Sequence, residues 1–458
     1  MTGYAEALHA LEALQVFGIR LGLDNVRAYC AAAGHPERRY ASFHVAGTNG
    51  KGTTAACLAA IGTRHGFRTG LYTSPHVVDL RERIVVDGRP IEGGDLVAAW
   101  DRIAPFVTAR EMTFFEAVTL IAFEHFAAEQ VELAVLEVGM GGRLDATNVV
   151  TPRAAIVTNV ARDHERHLGV DRPAIAREKG GIFKPGVPAL VGEPGPPEVR
   201  AVLSAAASAG GARARFLPDE VAWSVRRLER AETVFDYDSR ASSPLGGQRV
   251  AGALRAEAIG LPLMGAHFAG DAALALWAWE VAGPAPPDPH RLRAALSGVA
   301  PAGRTEWRHV DGVQYLFDVA HNPAAAGRLS AALGATGCGR SAIVAGILAD
   351  KEWPAMLDRL EPAAARVWLC GVETASADRR LGSREAAPLL AARPWVVWAD
   401  SVAEGLAAAR AAVAVGEAEQ VVVTGSFHTV GEALLALGLA TPGEPYMRGS
   451  RHPAVAAR

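Results

Sequence analysis

The sequence lacks the features that mark exported, membrane-spanning or polyanion-binding proteins. Its four cysteines are scattered over 458 residues without a CxxC pair, which argues against a disulfide framework or a zinc site and favours reduced thiols in the cytoplasm. There is no uncharged apolar run of roughly 18 residues and no basic head before an apolar N-terminal core, so neither a membrane span nor export is expected. A formal net charge of -3 gives no overall field for binding nucleic acid.

Lysine is also scarce, since only four of the 46 basic residues are lysine. Such a bias is typical of GC-rich coding, under which a lysine that arginine can replace tends to be lost. The lysines that remain are therefore candidates for roles that need a compact or deprotonatable amine. For Lys184, accidental retention is an equally good explanation. The four positions are Lys51, Lys179, Lys184 and Lys351.

The pattern that is present alternates strands with helices. Hydrophobic residues make up 50% of the chain, which is enough to bury a core in each of about two domains. Short β-branched apolar runs alternate with alanine-rich and leucine-rich stretches of helical period, which predicts an α/β fold with parallel strands covered on both faces. The predicted strands are residues 42–47, 69–74, 132–139, 154–160, 188–193, 313–320, 341–347, 366–371, 395–400 and 420–426.

The first strand leads through a glycine-rich turn into a helix in the segment HVAGTNGKGTTAACLAA, which begins at His44. Backbone N–H groups in such a turn can surround phosphate, while Lys51 reaches the β and γ phosphates of a nucleotide. The strict GxxxxGK[ST] pattern is not met, because Val45 replaces its first glycine and Gly52 follows the lysine. A plain strand-to-helix turn is the alternative, which the context and the scarcity of lysine disfavour. We predict a nucleoside triphosphate site.

These observations predict a P-loop-type, parallel-sheet ATPase domain over residues 1–300 and a smaller, Rossmann-like α/β domain over residues 301–440. A stretch with proline and glycine near residue 300 separates the two series of strands. The arginine-rich, less regular segment at about 215–260 predicts a small β insertion in the first domain. Residues 441–458 are predicted to form a flexible tail.

Polar residues follow several predicted strands at the edge where the loops of an open parallel sheet converge. Ser74 follows the second strand, and Asp163 and His164 lie beyond the fourth. Glu137 ends a wholly apolar run, and a carboxylate there is costly unless it meets a cation or hydrogen-bond donors. Metal binding is the favoured explanation, and an ion pair with Arg143 is the alternative. His164 taken alone fits a capping or core role better, since Mg²⁺ prefers oxygen ligands.

The second series of strands repeats this placement. Asp318 and His321 lie at the end of its first strand, Asp350 and Lys351 follow the next, and Arg304 lies at the predicted hinge. These groups can close over a nucleotide bound to the first domain, with the arginine stabilising a transferring phosphoryl group. Ordinary loop polarity is the alternative, and it is favoured for Asp350 but not for Asp318 and His321.

In their order along the chain, ten motifs resemble the folylpolyglutamate synthase and dihydrofolate synthase family of the Mur ligase superfamily. The resemblance covers nearly the whole chain and implies the Mur ligase architecture. The motifs are FGIRLGL (17–23), HVAGTNGKGT (44–53), YTSPH (72–76) with ERI (82–84), TFFEAVT (113–119), LEVGMGGRLDATN (136–148), DHERHLG (163–169), IAREKGGI (175–182), GAHFAGDAALA (265–275), DVAHNP (318–323) and GSFHTVGE (425–432).

The resemblance implies specific ligands for ATP and its metal ions. The family's GTNGKGT loop holds the ATP phosphates, which implies contacts from Gly47, Thr48, Asn49, Gly50, Lys51, Gly52 and Thr53. Two Mg²⁺ ions are implied, with the ligands Ser74, Glu137, His164 and a Lys179 carbamylated by CO₂. Carbamylation needs a deprotonated amine, which arginine cannot offer, so this expectation agrees with the retention of a lysine at position 179.

Further roles are implied in the second domain and in the substrate pocket. Arg304 matches the arginine that approaches the γ-phosphate, and Asp318 and His321 match groups around the ATP ribose and phosphates. The residues implied in the pteroate pocket are Phe115, Arg143 and Asp145. The residues expected to be catalytic are Lys51, Lys179, Arg304 and His321.

One element departs from the family pattern. The HQxxN element, which supplies an amide pair near the adenine, is here the run from His267 through Phe268 to Asp271. Asp271 can accept a hydrogen bond from the adenine amino group, but as a carboxylate it cannot donate one as asparagine does. Asp271 is retained as an expected ATP-binding residue, and nucleotide affinity and preference stay open.

The resemblance implies an ATP-dependent ligase that adds L-glutamate to dihydropteroate or to a folate through an acyl phosphate. We expect a cytoplasmic monomer without nucleic-acid or membrane partners. Arg143 is similar to its counterpart in bacterial enzymes that have both activities, which favours bifunctionality. One alternative is a Mur-type ligase for another carboxylate, but a cell-wall ligase would need a uridine-nucleotide-binding domain before the loop, where only about 40 residues are present. The other is a nucleotide-binding protein that has lost turnover.

Overall fold

The computed structural model describes residues 3–18, 20–163, 165–169, 171–239 and 254–448. Their strands form sheets of eight, three and six strands. Within these ranges no helix combines the length and the apolar character that crossing a membrane requires.

The eight-stranded sheet has the order β4-β3-β2-β5-β1-β6-β7-β8. All its pairings are parallel except those of β3, which runs antiparallel to β2 and β4. Its strands are β1 Ala41–Ala46, β2 Thr69–Tyr72, β3 Ile84–Val86, β4 Arg89–Pro90, β5 Leu133–Glu137, β6 Ala154–Val157, β7 Ala189–Val191 and β8 Ala214–Phe216.

Antiparallel strands β9 Ala222–Leu228, β10 Thr233–Asp238 and β11 Arg255–Leu261 form the three-stranded sheet. The six-stranded sheet has the order β12-β13-β17-β14-β15-β16, and it is parallel except at its edge strand β12. Its strands are β12 Glu306–Val310, β13 Val313–Phe317, β14 Ser341–Ala345, β15 Ala364–Cys370, β16 Val396–Ala399 and β17 Gln420–Thr424.

Helices connect the strands and cover the sheets. They are α1 Tyr4–Ala13, α2 Asp24–Ala32, α3 Lys51–Arg64, α4 Gly93–Ala109, α5 Phe114–Ala128, α6 Glu165–Leu168, α7 Arg172–Gly180, α8 Pro197–Ala209, α9 Leu217–Glu220, α10 Ala266–Ala282, α11 Pro289–Leu296, α12 Pro323–Ala335, α13 Trp353–Leu360, α14 Ser383–Leu390, α15 Val402–Ala414 and α16 Phe427–Ala436.

The α/β fold class is confirmed. Strand β5 shows why the parallel strands of this fold have continuous apolar sequences. Leu133 and Val135 belong to the core on one face of the sheet, with residues of α3 and α10. Ala134 and Leu136 point to the other face, where α4 and α5 cover them. Because successive side chains alternate between two buried faces, every position in the strand is apolar until Glu137.

The ten strands predicted from apolar runs are confirmed, but the pattern does not predict β3, β4, β8 or β12. The first three are only two or three residues long, and β12 is an antiparallel edge strand in which three of the five residues are Glu, Arg and His. Such strands bury too little surface to leave a continuous apolar signal.

The beginning of the predicted flexible tail, from residue 441, packs against the rest of the chain. Tyr446 is buried, and its hydroxyl donates to Glu306 Oε1 at 2.5 Å and accepts from Arg308 at 3.0 Å. Arg81 also donates to the carbonyl of Gly443 at 2.6 Å. One aromatic anchor with polar partners therefore orders this part of the segment, and residues 449–458 lie outside the described ranges.

Trp279 of α10 connects this helix to the central strand β1. The indole is 1% exposed and lies 6.4 Å from the ring of Phe43 and 4.8 Å from the ring of His65, measured between centroids. We expect Trp279→Ala to lower the free energy of unfolding by about 3–5 kcal/mol, because it removes a buried ring and leaves a cavity.

Chemical denaturation followed by circular dichroism measures this effect. Trp279→Phe is the matched control, since the indole N–H has no hydrogen-bond partner among the described residues and its loss costs no polar contact. A tryptophan-to-alanine variant as stable as the phenylalanine variant would contradict this account of the packing.

Candidate functional site

The glycine-rich turn between β1 and α3 is fixed by residues that follow β6. The carbonyl of Asn49 accepts from Thr158 Oγ1 at 2.6 Å and from Asn159 Nδ2 at 2.8 Å. In return, the N–H of Asn49 donates to Asn159 Oδ1 at 3.0 Å, and Thr48 N donates to the Asn159 carbonyl at 3.0 Å. The loop is therefore held by buried polar groups of the neighbouring strand end.

Two glycines of the loop occupy positions that exclude a side chain. Gly47 has a φ of 151°, and a β-carbon there would lie 1.8 Å from Thr158 Oγ1. Gly50 has a φ of 82°, and a β-carbon there would lie 2.3 Å from Asp271 Oδ1. Gly50 is also the N-cap of α3, so the loop ends at a helix N-terminus, which is a favourable place for a phosphate.

Two of the scarce lysines contact this loop. Lys51 Nζ donates to the Thr48 carbonyl at 3.2 Å, and Lys179 Nζ donates to the Gly47 carbonyl at 2.7 Å. Burial, with a further contribution from the charge of Lys51, lowers the pKa of Lys179 to about 7. A small cavity of about 30 Å³ opens beside them, lined by residues that include Gly47, Thr48, Lys51, Asp163, Lys179 and His321.

Glu137 lies next to the first turn of α3. Its Oε2 accepts from the backbone N–H of Ser74 at 3.1 Å, and a β-carbon at Gly52 would lie 3.5 Å from the same oxygen. Burial raises the pKa of Glu137, while the positive charges of Lys51, Arg304 and Arg83 oppose that rise. The structure thus brings Ser74, Glu137 and the loop together, whereas His164 lies outside the described residues.

Arg143, the alternative partner for Glu137, forms an ion pair with Glu178 at 2.8 Å and has a side chain that is 52% exposed. Asp145 is buried, and its carboxylate accepts from Thr147 N and Met140 N, both at 3.0 Å. The side chains of Arg143 and Asp145, two residues of the predicted substrate pocket, are therefore already hydrogen-bonded to other groups of the first domain.

Phe115, by contrast, packs against the end of β5. A β-carbon at Gly139 would lie 2.4 Å from its ring, and its centroid is 6.2 Å from that of Tyr72.

After the first strand of the second series, His321 lies beside the loop, whereas Asp318 makes its hydrogen bonds within its own domain. The carboxylate of Asp318 accepts from Thr305 N and Ala320 N, both at 3.0 Å. Burial raises its pKa and the charge of Arg304 opposes the rise. His321 Nε2 lies 3.4 Å from Asp163 Oδ2, and the Arg304 guanidinium lies 5.2 Å from the ring centroid of Phe427.

Two contacts across this cleft are not predicted as site contacts by the sequence. Lys351 Nζ pairs with Asp163 Oδ1 at 2.5 Å, and both side chains are less than a tenth exposed. Asn322 Nδ2 donates to Asn49 Oδ1 at 2.9 Å. The scarcity of lysine singles out Lys351, but 188 residues separate it from Asp163, so only the folded chain identifies the pair.

Comparison with known proteins agrees with this geometry. Residues 45–189 match the Mur ligase middle domain, and residues 303–427 match the Mur ligase glutamate ligase domain. The dihydrofolate synthase/folylpolyglutamate synthase of Escherichia coli is 34% identical over 94% of both chains. The chain belongs to the folylpolyglutamate synthase and dihydrofolate synthase family.

Solved structures of this family share the fold over nearly the whole chain. Folylpolyglutamate synthase of Mycobacterium tuberculosis, complexed with ADP, has a TM-score of 0.83 and 32% identity, and covers 96% of this chain and 100% of its own. E. coli FolC in complex with DHPP and ADP has a TM-score of 0.82 and 32% identity, and covers 96% and 99%. The family resemblance of the ten sequence motifs is therefore confirmed.

The pair of Lys351 and Asp163 gives a test of how the two sheets are held together in this family member. We expect Lys351→Ala to destabilise the protein by about 3–5 kcal/mol, because it removes the cation 2.5 Å from a buried carboxylate. Thermal unfolding measures the change.

Arg379→Ala is the matched control for this measurement. Arg379 pairs with Asp350, next to Lys351, but both side chains are more than a fifth exposed, and such pairs contribute about 0–1 kcal/mol. Equal shifts in melting temperature for the two variants would show that the buried pair has no special role.

Proposed function

We propose that this protein uses ATP to join L-glutamate to dihydropteroate and to folates, as a bifunctional dihydrofolate and folylpolyglutamate synthase. The observation that carries the proposal is the convergence of a phosphate-type loop, a buried carboxylate at Glu137 and the cations Lys51 and Arg304 in one cleft between the two mostly parallel sheets. Family membership and relatives that bear these two activities in their names support the substrate class.

The chemistry requires activation of a carboxylate, because its oxygen is a poor leaving group at neutral pH. ATP supplies the activating phosphoryl group, and the loop and α3 N-terminus position its phosphates. Lys51 and Arg304 offset negative charge on the transferring oxygens. The glutamate amine then attacks the acyl phosphate, and phosphate leaves. Closure of the cleft by Asp318 and His321 excludes water that would hydrolyse the intermediate.

The residues of the cleft fit Mg²⁺. Glu137 is a buried carboxylate beside the loop, and the Ser74 hydroxyl and a carbamate on Lys179 add the oxygen donors that Mg²⁺ prefers. Ser74, Glu137, His164 and carbamylated Lys179 would hold two ions. Bound Mg²⁺ would neutralise charge on the phosphate oxygens.

We also propose that the protein acts as a monomer. We place the ATP-binding domain at residues 1–300 with its β insertion at about 215–260, and the ligase domain at residues 301–440. In this arrangement Arg304 lies just after the boundary, where a change in domain orientation would move its guanidinium toward or away from the loop.

The direct test is turnover by the purified protein. With ATP, Mg²⁺, L-glutamate and dihydropteroate, we expect release of one phosphate for each product and a mass gain of one glutamyl unit. The same assay with tetrahydrofolate in place of dihydropteroate tests the second activity. ATP binding without product from either substrate would overturn the proposal and favour a binding protein without turnover.

Lys179→Arg tests the carbamate. Burial leaves the Lys179 amine about half neutral near pH 7, as reaction with CO₂ requires, whereas a guanidinium stays charged. We expect turnover to fall by about 10- to 100-fold, as when a metal-supporting group is lost. Carbon-13 NMR in labelled bicarbonate should show a lysine carbamate in the parent protein and lose that signal in the variant.

The control is Lys184→Arg, since burial also lowers the pKa of Lys184, to about 8, but its amine donates to the carbonyls of Asn148 and Val150. This control should keep both the turnover and the carbamate signal. An undiminished rate in Lys179→Arg would remove Lys179 from the mechanism.

A further inference from the structure

Asp271 is a buried carboxyl group that packs directly on the phosphate loop. It lies in α10, is 7% exposed, and its two oxygens are 2.3 and 2.8 Å from the position of a β-carbon at Gly50. Among the residues that the structure describes, Oδ2 has no hydrogen-bond partner. The N-terminus of α3 favours negative charge nearby. Among the described residues, however, no backbone N–H of this helix donates to the buried Oδ2, so a carboxylate at Asp271 does not gain that hydrogen bond.

Among the described residues, none forms a close ion pair with Asp271. Arg328 and Arg304 favour the charged form at longer range and Glu193 opposes it, but Arg328 is already paired with Glu193 at 2.7 Å. Burial is the largest influence and raises the pKa of Asp271 to about 8. Burial also lowers the pKa of His267, on the same helix, to about 3, so this imidazole is neutral.

A thiol, that of Cys57, is a further titratable group close to Asp271. Cys57 of α3 is buried, and burial and the nearby carboxyl group both raise its pKa, so it adds no charge. A carboxyl group in these surroundings avoids the cost of an uncompensated buried charge by keeping its proton.

We propose that Asp271 works as a neutral carboxylic acid in the nucleotide site and that bound ATP holds the proton on it. The proposal rests on the proposed function, because it takes ATP as the ligand of the loop. An ionised carboxylate against Gly50 would repel a triphosphate at the same loop, whereas the neutral acid does not.

The neutral acid also resolves the departure from the family's sequence pattern. A protonated carboxyl group has one hydroxyl donor and one carbonyl acceptor. These are the two functions of the asparagine amide that the family pattern has at this position. Protonation therefore restores the donor that a carboxylate at Asp271 would lack.

The consequence is a pH-dependent affinity for ATP. If only the protonated form binds, the Kd for ATP should rise about tenfold between pH 7 and pH 9, since the acid loses its proton over this range. Asp271→Asn keeps the shape and the donor–acceptor pair but cannot ionise, so its Kd should lack this rise. Isothermal titration of the full-length protein with ATP at constant excess Mg²⁺, without the other substrates, measures both.

The matched control is Glu198→Gln, which removes an exposed carboxylate that is not among the charges acting on Asp271 and should keep the pH profile of the parent protein. A second readout does not depend on any variant. Titrations of the parent protein in buffers with different ionisation enthalpies should show uptake of close to one proton per ATP at pH 9 and almost none at pH 7.

The outcomes separate this proposal from the proposed function. Parallel pH profiles for the parent protein and Asp271→Asn, or no additional proton uptake at pH 9, would overturn the role of Asp271 while leaving the ligase intact. Failure of the parent protein to bind ATP at pH 7 would instead overturn the proposed function. If Asp271→Asn does not fold, the proton count is repeated in Lys179→Arg, whose guanidinium does not titrate between pH 7 and pH 9, and loss of the uptake in that variant would overturn the role of Asp271.

Discussion

The backbone of the phosphate loop is held by hydrogen bonds from outside the loop, and the candidate site depends on them. Thr158 and Asn159 both donate to the carbonyl of Asn49. In a planar trans peptide the C=O and N–H point in opposite directions, so fixing this carbonyl turns the N–H of Gly50 to the other side. The β6 strand end therefore orients a donor at the start of α3, which preorganises the proposed anion site.

The contacts across the cleft beside the loop are polar, whereas Val77 and Val78 pack against the core of the six-stranded sheet away from it. Lys351 pairs with Asp163, Asn322 donates to Asn49, and Arg328 of α12 pairs with Glu193. Polar contacts between domains can exchange for contacts with a charged ligand, whereas an extensive apolar interface would fix one arrangement. A cleft built in this way suits a reaction whose substrates must enter, be shielded from water and leave.

The sequence is sufficient to predict the elements that carry a strong local signal. The apolar runs that end in Glu137 and Val157 identify parallel strands, and the glycine pattern identifies the loop between β1 and α3. The contact of Lys351 with Asp163 could not be predicted, because it depends on how two sheets face each other. The contacts of Asp145 could not be predicted from the sequence either. In the folded chain its carboxylate accepts hydrogen bonds from backbone N–H groups of its own loop.

The scarcity of lysine draws attention to residues of the candidate site that the hydrophobic periodicity does not indicate. The contacts of the four lysines give a physical reason. Three of the four lysines donate to backbone carbonyls and the fourth to a buried carboxylate, all in positions where a compact amine fits. A guanidinium is larger, planar and permanently charged, so it cannot lose its proton there. In Lys179 burial lowers the pKa to about 7, which gives the neutral amine that no arginine could supply. Where coding bias favours arginine, a remaining lysine is therefore a candidate for a position that needs a compact or deprotonatable amine.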